Sequence, residues 1–364
     1  MALYLLKPVM WNSAGYQRPA GDASAPKSYP GQHGFGHEEW NNSPRLVFEE
    51  QGQRLRAFHI EGIKQAPVAA HAGRIVVFMI ASHDRLQQLV GVAANALHLG
   101  GEDQLAERQR IAARLKVRDM WRDAWQLPGV QRRFDGDRQA LRTHFAQTGH
   151  WVPNWICPAD TFFWPDNPVT LVASQVTGKS VLPRMFNSYQ AIDDAAAGTI
   201  MSSVPESDRT AAWRRVLDAI RSAPDVLPMA DFPPPATRAT TRLAEILSRI
   251  GQGGFRSALL TRWGGGCAVT DLFCPELLRA SHIKPWASSS PQERLDPDNG
   301  LLLAAHLDAL FDRGLISFDD NGEMLISDRL PASERRHLRL PSPLRIAPTA
   351  AMKQYLAIHR QTLR

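Results

Sequence analysis

The stretch CAVTDLFCPELLRASHIKPWASSSPQERLDPDNGLLLAAHLDALFDRGLISFDDNGEMLIS, residues 267–327, decides how the chain is read. Its ELLRASHI run alternates apolar and polar positions, which predicts a strand carrying His282. A loop rich in Ser, Pro and Asp follows and ends in Asp296-Pro-Asp-Asn-Gly300. LLLAAHLDALFD (301–312) has helical spacing, with Leu303, Leu307 and Leu310 on one face. His306 is offset from that stripe and is expected to point toward the strand of His282. LISF-DDNG-EMLIS (315–327) predicts a hairpin with Asn-Gly at its turn.

On the blocks quoted below the stretch resembles HNH endonucleases, and the resemblance implies hydrolysis of a phosphodiester, which needs a nucleophilic water, a cation beside the phosphate and support for the leaving oxygen. A neutral imidazole near pH 7 can take the water's proton, and His282 is the candidate. A divalent cation would offset charge that builds on the phosphate and the departing oxygen.

Four blocks in order resemble the ββα-metal fold of HNH endonucleases: Cys267-Ala-Val-Thr, Ala280-Ser-His-Ile-Lys-Pro-Trp286, Asp296-Pro-Asp-Asn-Gly-Leu-Leu302 and His306-x-x-x-Leu-Phe-Asp-x-Gly-Leu315. The run Arg249-Ile-Gly-Gln-x-x-Phe-Arg-x-x-Leu-Leu260 is similar to the helix that precedes the motif in one subfamily. The resemblance implies His282, Asn299 and His306 as catalytic residues, and an Mg2+ or Mn2+ ion at His306. Asn299 would either join the metal shell or brace the His282 loop. Many HNH enzymes place an Asp or His metal ligand where this chain has Ser281, a poor ligand; the shell would then fall to water, Asn299 or Asp298. Arg279, Lys284 and Arg313 are the candidate DNA contacts of this domain. Cys267 and Cys274 stand as C-x6-C with no second pair, so no structural zinc is expected, and Cys267 reads as a packed strand residue.

The whole chain has 364 residues, enough for two or three domains. A net charge of +6 suits a polyanionic partner, here double-stranded DNA. Three cysteines at unhelpful spacings fit a reducing cytoplasm. Apolar runs such as IVVFMIA (75–81) are too short to span a bilayer, and the start MALYLLKPVMWN shows no signal peptide, so no membrane partner is expected.

Upstream, LYLLK (3–7) predicts a strand, and a Gly/Pro/Ser-rich loop follows that is studded with Trp11, Tyr16, Tyr29, Phe35 and Trp40. Residues 54–99 predict short strands broken by turns, the pattern of a small barrel or strongly bent sheet. The pairing of IVVFMIA with LVGVA resembles the PUA-like superfamily, which includes modified-base readers. Residues 102–148 predict Arg-rich helices, and GHWVPNWICPADTFFWPDNPVTL (149–171) predicts extended segments because its prolines exclude a helix. Trp11, Tyr16, Trp40, Trp151, Trp155 and Trp164 are the candidates for a pocket that holds a flipped base. Gln175, Lys179, Arg184, Asn187 and Tyr189 are further candidate contacts. Residues 205–223 predict an amphipathic helix, PDVLPMADFPPPATR (224–238) a stiff linker, and 239–251 a helix.

The expected architecture is α+β. It comprises a PUA-like, β-rich DNA-recognition domain with helical additions (1–200), a helix and Pro-rich linker (201–238) and a ββα-metal HNH nuclease domain (239–364). The expected function is a metal-dependent DNA endonuclease, a restriction enzyme directed by 5-methylcytosine or 5-hydroxymethylcytosine. The alternatives are a restriction enzyme that reads unmodified sequence and a non-catalytic DNA-binding protein with a relict HNH fold. One HNH site cuts one strand, so a double-strand break calls for a homodimer or two visits.

Overall fold

The computed structural model describes residues 2–363 except 23–24, 51, 62, 64–65, 69, 102–103, 149–152, 185–187, 222–253 and 291. The Pro-rich linker, the helix expected at 239–251, Trp151 and Asn187 lie outside the described residues. The chain divides into two compact units: Met1–Glu50 with Arg54–Leu247, and Gln51–Gln53 with Ser248–Arg364. Among the described residues no helix is long and apolar enough to cross a membrane.

The N-terminal unit is built on one mixed sheet. Its strands are β1 (Leu3–Pro8), β2 (Val47–Glu50), β3 (Gln53–Phe58), β4 (Ile75–His83), β5 (Leu86–His98), β6 (Trp155–Pro158), β7 (Phe162–Phe163), β8 (Val169–Thr170) and β9 (Gln190–Ile192). The order is β2-β3-β6-β5-β4-β1-β9, with β7 and β8 also paired to β5. β1 runs parallel to β4, while the other described pairings are antiparallel. The expected barrel is therefore corrected to an open, bent sheet. Register shifts between β4 and β5 bend the pair, and the 13-residue β5 divides one edge among β6, β7 and β8.

Alternation along β1 sends Tyr4 and Leu6 into one core and Leu5 and Val9 into the other. The first core is closed by helices α1 (Asp194–Ser202) and α2 (Ala211–Arg221), the second by the aromatic loop. Gly91 on β5 makes room for Trp164, which follows β7: a Cβ there would meet its ring at 2.4 Å.

The C-terminal unit contains β10 (Leu278–His282) paired antiparallel with β11 (Gly300–Ala304), then helix α3 (Ala305–Asp312). The helix expected at 301–312 thus begins only at Ala305. Leu301, Leu302 and Leu303 are all buried strand residues, and an apolar run buried on both faces carries no period that separates strand from helix. The hairpin is present as β12 (Ile316–Phe318) and β13 (Met324–Ile326). Helix α4 (Ala350–His359) packs its Met352 and Leu356 on the core. His359 stacks on Phe311 at 3.6 Å and reaches Ser317 Oγ with Nδ1 at 3.0 Å. Cys267 is buried but outside any strand; its Sγ accepts from the amides of Val269 and Ala304.

Candidate active site

β10 ends on His282, opposite Gly300 at the start of β11. The chain between them must leave and return to a fixed register, and Asn299 sets that return. Its carbonyl accepts from Ile283 N–H at 3.0 Å, and its Oδ1 accepts from Lys284 N–H at 2.7 Å. Its Nδ2 donates to the Glu293 carbonyl at 2.9 Å and to Ser289 Oγ at 3.4 Å. A side-chain amide both accepts and donates, so no residue of the same size without both functions closes this loop. Asn299 is fully buried.

The His282 imidazole lies face to face with Phe255 (centroids 4.0 Å apart, planes 7° apart) and edge-on to Trp286. Gly300 makes room for Phe255: a Cβ there would sit 2.4 Å from Phe255 Cζ. His282 Nε2 lies 3.1 Å from the Arg294 carbonyl. A carbonyl only accepts, so Nε2 carries the proton and the lone pair of the neutral ring is on Nδ1. Arg294 is itself held, with Nε on the Trp286 carbonyl at 3.1 Å and its guanidinium 4.8 Å over the Trp286 ring. Burial pulls the His282 pKa below its usual value; the hydrogen bond to the Arg294 carbonyl opposes this, and the Arg294 charge adds to the lowering. The ring is therefore neutral at pH 7, with a defined basic nitrogen.

The other motif residues separate by role. Lys284 spends its ammonium on both oxygens of Glu293, at 2.7 and 2.8 Å, so it is not the open phosphate contact the sequence suggested. Asp298 Oδ1 binds Arg262 at 2.7 Å and accepts from the Thr349 hydroxyl at 2.6 Å, which ties the loop to its surroundings. Asp296 accepts from the Tyr355 hydroxyl. Arg279 donates to the carbonyls of Glu276 and Leu278, and the exposed Arg313 to that of Ala309.

His306 is exposed on α3, and Ser281 Oγ is buried without a hydrogen-bond partner on β10. Among the described residues no group of three or more His, Cys, Asp or Glu could hold a metal ion. An imidazole, a neutral hydroxyl and one Asp298 carboxylate, with the Asn299 amide engaged elsewhere, do not make a complete divalent-ion shell on their own.

In the N-terminal unit, three of the six pocket candidates are core. Trp155 is 0% exposed, Tyr16 1% and Trp40 2%. Tyr16 donates to the Met10 carbonyl and Trp40 to Asp123, so their polar ends anchor the loop. These three are corrected to packing residues. Trp11, stacked on His83 at 4.2 Å, and Trp164, stacked on Phe162, remain half-buried on one face of the sheet. A groove of about 680 Å³ is lined by Arg45, Arg114, Lys116 and Arg122 with Glu49 and Asp119. Arg114 pairs with Glu50 and Arg122 with Asp119, while the exposed Lys116 leaves the groove with a net cationic wall.

Sequence reasoning did not assign Phe255 or Arg294 to the site. Phe255 stood inside the run preceding the motif, but its stacking partner is set by the strand register. Arg294 acts through a carbonyl, which no side-chain pattern reveals. No curated protein matches the chain. Residues 267–319, which contain His282, Asn299 and His306, match the family model described as HNH endonuclease, and this segment is what the nuclease reading rests on.

Proposed function

We propose that the protein is a DNA endonuclease in which the C-terminal unit hydrolyses phosphodiesters and the N-terminal unit selects where it does so. The observation that carries the nuclease half is the family match over residues 267–319; within it, the His282 contact with the Arg294 carbonyl fixes the tautomer and leaves Nδ1 as the proton acceptor. In the reaction, water loses a proton to Nδ1 as its oxygen attacks phosphorus, and the P–O bond to the leaving oxygen breaks. The departing oxygen takes a proton from solvent water, and the imidazolium returns its proton to solvent. Phe255 and Asn299 hold the ring and its loop in place. The chain's own donor set is too poor for a metal cage, so Mg2+ or Mn2+ would be bound mainly by water and the phosphate of the DNA.

The selecting half is the recognition of cytosine carrying a 5-methyl or 5-hydroxymethyl group. It is supported by half-buried Trp11 and Trp164 on the open sheet and by the cationic groove, which suits a phosphate track. The test is cleavage of one plasmid prepared unmodified, 5-methylated and 5-hydroxymethylated, with Mg2+ or Mn2+. Cutting confined to a modified form is expected. Equal cutting of all three would remove the modified-base reading and leave the nuclease.

A further inference from the structure

Two adjacent carboxylates under the aromatic loop are treated differently. Glu39 is saturated: it accepts from the amides of Gly36 at 2.8 Å and Ala20 at 2.9 Å, and from Asn12 Nδ2 at 2.8 Å. It is a brace for the loop. Glu38 is 6% exposed, and its Oε2 accepts from Met10 N–H at 2.9 Å. Its Oε1 is buried and has no hydrogen bond. The backbone of Glu61 is near enough to favour the charged form, but not in hydrogen-bond geometry with Oε1. A buried acceptor left open is unfavourable, so the Met10 N–H and the Lys7 charge account for only part of this carboxylate's surroundings.

The surroundings indicate what would complete it. The carboxylate is pinned to Met10, next to Trp11. Lys7 is buried on the β1 face shared with Leu5 and Val9, and its Nζ donates to the Ser188 carbonyl at 3.0 Å. Its charge acts on Glu38, and that of the exposed Glu61 acts on both. Burial lowers the Lys7 pKa and raises that of Glu38. Ser188 and Tyr189 lead into the edge strand β9, beside the end of β1. Tyr189, Trp11 and Trp164, all half-buried, pack on the same core. The open acceptor and the buried cation are thus held by Met10 and Ser188, the chain neighbours of Trp11 and Tyr189.

We infer that Glu38 Oε1 is the acceptor that reads the exocyclic amino group of a cytosine turned out of the duplex against these rings. This rests on the base-reading proposal and names its specificity residue. A cytosine edge offers an amino donor to Oε1 and acceptors toward Lys7. Thymine has the same ring and the 5-methyl group of 5-methylcytosine, but puts a carbonyl where the amino group would be. Against a carboxylate, that exchange replaces a hydrogen bond with repulsion.

The experiment is binding of the full chain, in EDTA, to three DNA duplexes carrying 5-methylcytosine, cytosine or thymine at one position. Each is set opposite an abasic site so that unpairing costs are equal. Wild type is expected to bind 5-methylcytosine about ten-fold or more tighter than thymine. Glu38→Gln, whose amide can donate to the thymine carbonyl, should reduce that ratio to about three-fold or less. Glu39→Gln should lower the melting temperature and leave the ratio intact. If wild type prefers 5-methylcytosine to cytosine and Glu38→Gln keeps the thymine discrimination, the assignment of Glu38 is overturned while the reader stands. If wild type binds all three duplexes alike, the reader falls and Glu38 with it, whether or not the variant folds.

Discussion

The loop around His282 and the cluster beneath the aromatic loop are both polar patches set against apolar cores, and they are finished in opposite ways. Asn299 is fully buried and makes hydrogen bonds with its side-chain oxygen, side-chain nitrogen and carbonyl. Lys284, Glu293, Asp296 and Asp298 around it are all paired. Under the aromatic loop Glu38 keeps one buried oxygen unpaired, with a buried lysine nearby. A saturated network gives rigidity, which suits a general base that must hold its orientation; an open acceptor costs stability and suits a group completed from outside.

The widest separation between the two regions should come from His282→Ala. Removing the base should cut DNA hydrolysis by about 10²–10⁴-fold while leaving DNA affinity in EDTA unchanged. Second, Asn299→Ala should destabilise the C-terminal unit by about 3 kcal/mol in denaturant titration, since it orphans the Lys284 amide and the Glu293 carbonyl. Gly300→Ala comes next, at about 1–3 kcal/mol, because its Cβ collides with Phe255. That collision should also shift the ring off His282 and raise the pH midpoint of cleavage. Glu38→Gln should lower the melting temperature of the N-terminal unit less than Glu39→Gln does, since the lost attraction to Lys7 is offset by the removed cost of burying a charge. A large loss there would mean that Glu38 is a brace like Glu39, and the contrast would fail. The smallest effect, under about 1 kcal/mol, belongs to Lys284→Met, whose ion pair with Glu293 is partly exposed.

The motif was legible because its chemistry is carried by side chains at fixed spacing: His282, Asn299 and His306 could be picked out in order. The strand at 300–304 was not, since three consecutive buried leucines have no amphipathic period. The Arg294 carbonyl was also hidden, because backbone atoms leave no residue-type signal. In the N-terminal unit the aromatic loop stood out, yet Tyr16, Trp40 and Trp155 proved to be packing. A planar ring serves a core and a pocket equally well, and only burial tells them apart. Glu38 and Glu39 are neighbours of one residue type, and the difference between them depends on which N–H groups the fold brings to each.

The most direct measurement is nicking of supercoiled plasmid carrying the modification the protein prefers, with Mn2+, from pH 5 to 8, by wild type and His282→Ala. Burial lowers the His282 pKa, so the neutral, basic ring persists to lower pH than for an exposed histidine. The wild-type rate should rise with pH through a midpoint below 6.5 and then level off, with His282→Ala about 10²–10⁴-fold slower on the plateau and without this midpoint. Nicking by His282→Ala at the wild-type rate, with the same pH profile, would contradict the assignment of His282 as the general base.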